Sequence, residues 1–403
     1  MKTISISLPR CEHEGSSTRI SATIHADHRQ FEIWYRVSEG PIADGIETFL
    51  AATLVPAMRL GCDIQVPGPV SPRLLQGLTT FQQTMHGWFP RLRPISILAK
   101  PKARTGCPVA GAASFFSGGV DAFYTLLKHH DEITKTVLIH GFDYQFNKTL
   151  SRETFSRLLQ DAAAQLKRPL LEVDTNVRTF GDHYADWGYE YGGSVLASAA
   201  LLLTPQFGKM YMASSYPEAY VFPWANHPDT DPLWSTEEIE IFHDGCEATR
   251  IEKVGRIAQC EPALKVLRVC WSDFRTHKRG GLNCGKCEKC IRTMADLRYA
   301  GALERCTTFR HKLKLRDLAL IDLRHGHQHI FYETSLAEVQ RSGKDPELAR
   351  ALRECVSQRH YRGLEGAIRT ISTKLNKSVV RPALRPVERL AKRTWKRARL
   401  ERG

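Results

Sequence analysis

A glycine turn between an apolar segment and a helical pattern is the first place where this chain could do chemistry. The apolar residues Ala112–Phe116 are followed at once by Ser117, Gly118 and Gly119. Glycines in a turn permit positive φ and leave backbone N–H groups unobstructed, and such groups at a helix N-terminus bind phosphate. The turn therefore predicts a phosphate or pyrophosphate site, with Asp121 placed to hold a metal ion.

A cysteine cluster is the second such place. Cys284, Cys287 and Cys290 follow one another with two residues between neighbours. Cys270 lies upstream, after the apolar run Leu264–Val269, which predicts a β-strand. Four thiolates close a tetrahedral zinc site, and this spacing lets neighbouring sulfurs reach one ion. We therefore expect these four cysteines to bind Zn²⁺ in a structural site, because protein ligands fill every position.

The sequence leaves two features of this cluster open. Cys260 or His277 could replace Cys270 as the fourth ligand. An iron–sulfur cluster also uses cysteine thiolates, so the ligand type alone does not decide the metal.

Residues 117–121, Ser-Gly-Gly-Val-Asp, resemble the pyrophosphate loop of the N-type ATP pyrophosphatases, whose usual form is Ser-Gly-Gly-x-Asp-Ser. With the later cysteines, the loop resembles the 7-cyano-7-deazaguanine synthase branch of that superfamily over residues 110–306. The resemblance implies an adenine nucleotide α-hydrolase-like fold and a substrate activated by AMP transfer from ATP. The residues that it implies for nucleotide and Mg²⁺ binding are Ser117, Gly118, Gly119, Val120 and Asp121.

The chain departs from the family pattern at three points. Ala122 replaces the usual serine, thirteen residues separate Cys270 from Cys284, and long segments flank the matching part on both sides. Because of these departures, the resemblance indicates the ATP chemistry more strongly than it indicates the substrate.

Apolar segments alternate with helical patterns through the centre of the chain. Segments typical of strands are Ala112–Phe116, Thr136–Ile139, Leu170–Val173 and Met210–Ala213. This alternation predicts an α/β fold with a doubly wound parallel sheet. Ligands of such sheets bind outside the carboxyl ends of the strands. The residues predicted at those ends are Ser117, His140, Gly141, Phe142, Asp143, Asp174, Ser214, Ser215 and Tyr216.

The pattern divides the chain into three parts. Residues 1–105 mix strand-like and helical stretches, which predicts an N-terminal α+β domain that selects the substrate. Residues 106–306 form the predicted nucleotide domain, and residues 307–403 form a C-terminal extension with a basic helical tail. The stretches in the first part are Thr3–Leu8, Thr18–His25, Gln30–Val37, Ile46–Leu60, Asp63–Val66, Pro72–Trp88 and Ile95–Leu98.

A polar, proline-rich region, Pro217–Glu240, follows the last predicted strand and is typical of a substrate loop beside a nucleotide site. A helix is predicted to begin at Arg250. Arg250 and Lys253 are candidates for phosphate contacts and, with Asp121, for the catalytic residues. A salt bridge on an exposed helix is the alternative interpretation of both cations.

Composition sets the outer limits. The chain has 403 residues, 42% of them hydrophobic, which is enough for two domains. Its 11 cysteines are odd in number and three have metal-ligand spacing, so a reducing compartment is favoured over a disulfide scaffold. No apolar stretch approaches the length of a spanning helix, and the first residues lack an apolar signal segment. These features predict a cytoplasmic protein.

The positive charge is concentrated near the end of the chain. Residues 374–403 hold 11 Lys or Arg against 2 Glu, which accounts for +9 of the net +14. Val387, Leu390 and Trp395 fall on one helical face of this segment. A basic amphipathic helix binds an anionic membrane surface or nucleic acid, and a solvated tail is the plainer alternative.

These features predict an AMP-forming ligase that adenylates a carboxylate or amide of a small molecule for attack by a nitrogen nucleophile. The first alternative is ATP-dependent sulfur transfer to RNA, for which Cys107 is a candidate persulfide carrier. The second is a non-catalytic ATP-binding module, which Ala122 favours. The sequence leaves open whether the protein forms a homo-oligomer.

Overall fold

The computed structural model describes residues 3–26, 28–102, 108–142, 149–270, 282–323 and 326–357. The chain divides into two compact units, Met1–Leu313 and Lys314–Gly403. Within the described ranges, no helix is both long enough and apolar enough to cross a membrane.

The first unit is built on one large open sheet with helices packed on it. Its strands are β1 Thr3–Ile6, β2 Arg10–Glu14, β3 Ser17–Ala26, β4 Arg29–Val37, β5 Asp63–Val70, β6 Ile97–Pro101, β7 Ala112–Phe115, β8 Ile133–His140, β9 Leu170–Thr175, β10 Lys209–Ala213 and β11 Glu240–Asp244. Its α-helices are α1 Ile46–Leu60, α2 Pro72–Trp88, α3 Val120–Lys128, α4 Thr149–Gln165, α5 Arg178–Gly181, α6 Gly192–Leu202, α7 Arg250–Ile257, α8 Glu261–Val266 and α9 Glu288–Tyr299.

The carboxyl-terminal unit is helical in its described part. Its helices are α10 Leu315–Ala319, α11 Gly326–Ser342 and α12 Pro346–Ser357. The basic segment 374–403 and its predicted amphipathic helix lie outside the described residues.

Five strands form the parallel half of the sheet, in the order β11-β10-β7-β8-β9. The chain enters this half at β7 and moves outward through β8 and β9. It then returns to the other side of β7 with β10 and β11. The direction of strand progression therefore reverses between β7 and β10, and this reversal leaves a crevice at the carboxyl ends of the two strands.

The rest of the sheet is mixed and continues from β9 without a break. β4 pairs antiparallel with β9, with Tyr35 opposite Thr175 and Val37 opposite Val173. The order then runs β4-β3-β1-β5-β6, with β2 beside β3. The whole is an α/β structure with a mostly parallel mixed sheet that does not close into a barrel.

Helices cover both faces of the parallel half, because successive side chains of a strand point to opposite faces. Phe115 belongs to the large apolar cluster that includes Phe49 of α1 and Leu201 of α6. Phe116 instead meets Phe123 of α3 edge to face, with the ring centroids 4.8 Å apart. Both phenylalanines are buried, so the strand leading to the glycine turn is anchored from two sides.

The structure differs from the sequence-based expectation at the apolar run Leu264–Val269, which was expected to be a strand. Its first part belongs to helix α8, which begins at Glu261 and has a proline in its first turn. Proline in a first turn favours helix initiation, and a short apolar run cannot separate a strand from a buried helix.

The expected boundary near residue 105 does not coincide with a division of the structure. One compact unit spans Met1–Leu313, and the β4–β9 pairing joins the amino-terminal strands to the central ones. Backbone pairing between distant segments leaves no local signal in composition. Residues 103–107, which surround that boundary, lie outside the described residues.

Candidate functional site

The glycine turn has the geometry that its sequence predicts. Gly118 has φ +71°, and a Cβ there would lie 2.9 Å from Cδ2 of Leu159. Gly119 is the N-cap residue of α3, and its backbone is extended. The first N–H groups of an α-helix have no acceptor within the helix. The turn lines the crevice at the end of β7, and N–H groups at a helix N-terminus are suited to binding an anion.

Asp121, in the first turn of α3, is held by side chains from distant segments. Nη1 of Arg250 donates to its Oδ2 at 2.8 Å, and Nζ of Lys253 lies 3.6 Å from its Oδ1. Ser215 donates to Oδ2 at 3.3 Å. Desolvation acts to raise the pKa of Asp121, but the charges of Arg250, Lys253 and Arg292 outweigh it and hold that pKa below its usual value.

Both predicted phosphate-binding cations lie in this cluster. Arg250 and Lys253 occupy the first turn of α7, which a capping box between Thr249 and Glu252 fixes in place. Arg250 is 6% exposed and Lys253 is 1% exposed. The alternative interpretation, a salt bridge on an exposed helix, is therefore wrong about exposure. It is right about the pairing, since both cations pair with Asp121.

The cluster has more positive than negative charge. Burial lowers the pKa of Lys253, and the nearby Asp121 carboxylate only partly offsets this effect. Nζ of Lys253 donates to the carbonyl of Ser214 at 2.7 Å. Arg292, from α9, is also buried and acts electrostatically on Asp121. Arg292 also pairs with Glu288 at 3.4 Å, so Arg250 and Lys253 are the two buried cations that share the single carboxylate of Asp121. Two buried cations on one carboxylate are suited to receiving a further anion, because buried charge is costly without a counter-charge.

A cavity of about 250 Å³ opens beside the turn, at the reversal between β7 and β10. Ser117, Gly119 and Asp121 line it on one side, and Met212 and Ser215 line it from β10 and just beyond. Its remaining wall is mainly apolar, with Phe116, Leu138, Ile139, Phe142 and Leu196. The cavity therefore combines an apolar wall with a polar rim.

Some residues expected at the strand ends have other partners. The His140 ring pairs with Glu172 at 2.7 Å, and Asp174 pairs with Arg36 and Arg152. The predicted convergence holds for Ser117, Phe142 and Ser215, which line one cavity. Asp143 lies outside the described residues.

The four predicted metal ligands, Cys270, Cys284, Cys287 and Cys290, do meet. All their sulfur atoms lie within 4.8 Å of one another. The sulfurs of Cys270 and Cys287 are 3.8 Å apart, as are those of Cys284 and Cys290. A tetrahedron with metal–sulfur bonds of about 2.3 Å needs sulfurs about 3.8 Å apart. The site thus fits one four-coordinate ion such as Zn²⁺.

Cys270 completes the set, so the expected ligands are the ones that the fold brings together. Cys260, the alternative ligand, is instead the buried N-cap residue of α8. His277 and the persulfide candidate Cys107 lie outside the described residues.

Asn283 is a site residue that the sequence analysis did not identify. Its buried side-chain oxygen accepts from the N–H groups of Val269 and Cys270 at 2.8 and 3.1 Å. Its amide nitrogen donates to the carbonyl of Leu267 and to Oγ1 of Thr308. One side chain therefore holds the segment that carries the first metal ligand. Nothing in the local sequence distinguishes this asparagine from one in a turn.

Comparison of this chain with protein-family models, with curated proteins and with solved structures gave no significant match. The site therefore has to be interpreted from its own chemistry.

Proposed function

We propose that this protein is an ATP pyrophosphatase-type enzyme that transfers AMP to a carboxylate or amide of a small molecule and releases pyrophosphate. The observation that carries the proposal is the pair of buried cations beside the glycine turn. Arg250 and Lys253 reach the carboxylate of Asp121 from α7, next to the N-terminus of α3. Both cations are buried, so the arrangement does not depend on the position of exposed side chains.

The two halves of the cavity suit the two halves of a nucleotide. Its apolar wall, with Phe142 and Leu138, offers contact area for a purine base. Its rim, at Ser117 and Gly119, presents N–H groups and a hydroxyl to phosphate oxygens. The strand order supports an adenine nucleotide α-hydrolase-like, doubly wound fold, since dinucleotides and mononucleotides bind such sheets at the reversal of strand order.

Asp121 is suited to help bind Mg²⁺ once the phosphates are present. Its Oδ1 is buried and has no hydrogen-bond partner among the described residues. Arg250 and Lys253 already balance its charge, so a divalent cation is favoured there only with a polyanion. Bound Mg²⁺ would supply charge stabilisation for the departing pyrophosphate. Arg250, Lys253 and the turn would hold the phosphates in position and stabilise the same developing charge.

The cysteine site is proposed as a structural zinc centre, because its four ligands leave no position open for substrate. The carboxylate or amide to be activated is proposed to enter from the region that follows β10, where Tyr216, Phe222 and Trp224 form contacting aromatic pairs.

The proposal is tested by a substitution in the glycine turn with a matched control. Gly118→Ala forces a side chain into a backbone with φ +71° and toward Leu159, whereas Gly15→Ala meets a similar φ of +65° with nothing within 4 Å. Binding of the non-hydrolysable analogue α,β-methylene-ATP is measured by calorimetry with Mg²⁺. We expect at least about a tenfold loss for Gly118→Ala and no change for Gly15→Ala.

A second measurement tests the reaction itself. The wild-type protein is incubated with ATP, Mg²⁺ and a protein-free metabolite extract, and the nucleotide products are separated. AMP with pyrophosphate is the expected pair. Formation of ADP instead, or no binding of the analogue by the wild-type protein, would contradict the proposal.

A further inference from the structure

A second cluster of reactive groups meets the cation pair at Ser214. Cys246 follows β11, and its Sγ lies 3.2 Å from Oγ of Ser214. Ser214 is also the residue whose carbonyl accepts from Nζ of Lys253. Its neighbour Ser215 lines the cavity and donates to Asp121. The thiol is therefore connected to the candidate nucleotide site through two adjacent serines.

His243, three residues before Cys246, is oriented by a buried carboxylate. Its Nδ1 lies 2.7 Å from Oδ2 of Asp231, and the side chains are 3% and 0% exposed. Asp231 is itself held by the side chain of Asn226 and the backbone N–H of His227. The orientation of the imidazole ring is therefore set by residues of the polar region Pro217–Glu240, which was expected to be a substrate loop.

The other ring nitrogen of His243, Nε2, is buried and makes no hydrogen bond to the described residues. A buried nitrogen without a partner is costly, so its retention in this position calls for a function. Gly245, with φ +98°, turns the chain between His243 and Cys246.

The charges around the thiol favour its ionised form. Burial acts to raise the pKa of Cys246, but the His243 imidazole, the Ser214 hydroxyl and the Lys253 charge outweigh it and lower that pKa. Burial acts to lower the pKa of His243, but its bond to Asp231 and its contact with Cys246 raise it to about 9. Glu247, the next residue, is engaged by Lys128 and Tyr124.

We propose that Cys246 is a nucleophile activated by His243 and Asp231, and that it takes the acyl group of an adenylated carboxylic acid as a thioester. This inference rests on the proposed function for the supply of the acyl adenylate. The arrangement follows the general pattern of a nucleophile, a base and an orienting carboxylate. No residue of this triad is among those predicted from the sequence to act on ATP.

The step balances without an oxidant or reductant. The thiolate sulfur attacks the carbonyl carbon of the acyl adenylate and forms the C–S bond. The bond between that carbon and the phosphate oxygen breaks, and AMP leaves with the electron pair. An amine then attacks the thioester, the C–S bond breaks, the thiolate is restored, and the proton of the amine passes to solvent.

The activated thiol can be tested without any substrate. Alkylation of the full-length protein by iodoacetamide is followed at pH 6.5 by peptide mass spectrometry, with the exposed Cys11 as internal reference. We expect Cys246 to react at least about tenfold faster than Cys11, and this advantage to be lost in His243→Gln. Equal rates at Cys246 and Cys11, or rates unaffected by His243→Gln, would overturn the proposal.

The acyl transfer is tested with ATP, Mg²⁺ and a protein-free metabolite extract, followed by acid quenching and intact-mass measurement. An added mass on Cys246 that neutral hydroxylamine removes, and that Cys246→Ala lacks, supports the thioester. If Cys246→Ala forms AMP and the final product at the wild-type rate, the thioester step is overturned while the proposed function stands. If the wild-type protein forms no AMP, the proposed function fails and the thioester step fails with it; the alkylation rates still decide whether the thiol is activated. Cys11→Ala serves as the control variant.

Discussion

The backbone N–H of Arg268 donates to the carbonyl oxygen of Gly118 at 2.8 Å. Arg268 lies two residues before Cys270 of the cysteine cluster, and Gly118 is the central residue of the glycine turn. A backbone hydrogen bond therefore connects the segment that carries Cys270 to the glycine turn of the candidate nucleotide site. Arg292, two residues after the ligand Cys290, adds an electrostatic link because its charge acts on Asp121.

This connection predicts that loss of the metal weakens nucleotide binding as well as stability. In Cys287→Ser, one of the four thiolate ligands is removed, and we expect loss of bound zinc and a fall in Tm of about 10 °C. Affinity for α,β-methylene-ATP is expected to fall in the same variant, because the segment that holds Gly118 loosens. Metal content is measured by mass spectrometry and Tm by calorimetry.

Cys11→Ser is the control for that experiment, since Cys11 is exposed and lies outside the metal cluster. A Cys287→Ser protein that keeps its metal and its analogue affinity would show that the cysteine centre does not support the turn.

Asn283 provides a test of the same link without touching a ligand. In Asn283→Ala, two backbone N–H groups, at Val269 and Cys270, lose the oxygen that they share. Each buried group left unpaired costs about 1–3 kcal/mol, so for the two groups we expect a loss of about 2–6 kcal/mol in the free energy of unfolding. Urea denaturation measures it.

Gln165→Ala is the matched control, because this exposed amide makes a single bond to the carbonyl of Asp161. The expected change there is below about 0.5 kcal/mol. Equal losses in the two variants would contradict the role assigned to Asn283.

Lys253 is expected to lower the free energy of unfolding at neutral pH and to strengthen binding of the ATP analogue. Burial lowers its folded-state pKa below the ordinary value of 10.5, so the unfolded chain binds this proton more tightly. The stability of the wild-type protein relative to Lys253→Met should therefore rise as the pH increases toward 10.5. At pH 7 we expect Lys253→Met to be at least as stable as the wild type and to bind α,β-methylene-ATP at least about tenfold more weakly.

The measurement is chemical denaturation of both proteins at pH 7 and pH 9, paired with calorimetric titration. Lys265→Met, on α8, is the control for removal of a lysine charge from the same unit. Unchanged analogue affinity in Lys253→Met would remove this residue from the candidate phosphate site.

His243 should make stability depend on pH in the opposite direction. Its folded-state pKa is raised to about 9, above the ordinary 6.5. Its contribution is therefore fully present below pH 6.5 and is lost as the pH rises through 9. A shift of this size corresponds to about 3 kcal/mol. The groups that act on it are Asp231, Cys246 and His227.

The comparison is between the wild type and His243→Gln, each unfolded in urea at intervals from pH 6 to pH 9.5. The difference in unfolding free energy is expected to shrink across that range. A difference that does not vary with pH would mean that folding does not shift the pKa of His243.

Local features of the sequence were enough to predict the glycine turn and the metal ligands. Gly118 adopts the positive φ for which a glycine was needed, and the helix expected after it begins at Val120. The spacing of Cys284, Cys287 and Cys290 brings three sulfurs together within a few residues. Such features depend on backbone conformation over short distances, which residue type largely controls.

The tertiary structure decided what surrounds those features. Asp121 and Arg250 are 129 residues apart in sequence, and only the packing of α7 against α3 brings their charges into contact. The strand β11, Glu240–Asp244, was not expected, because Ile241 and Phe242 are its only apolar residues and it forms by pairing with β10 at the edge of the sheet. The surroundings of Cys246 were also not predicted, because a single cysteine does not by itself indicate a reactive site. Its chemistry depends on His243, Ser214 and Lys253, which the order of strands in the sheet brings to one place. Strand order is a property that local sequence does not encode.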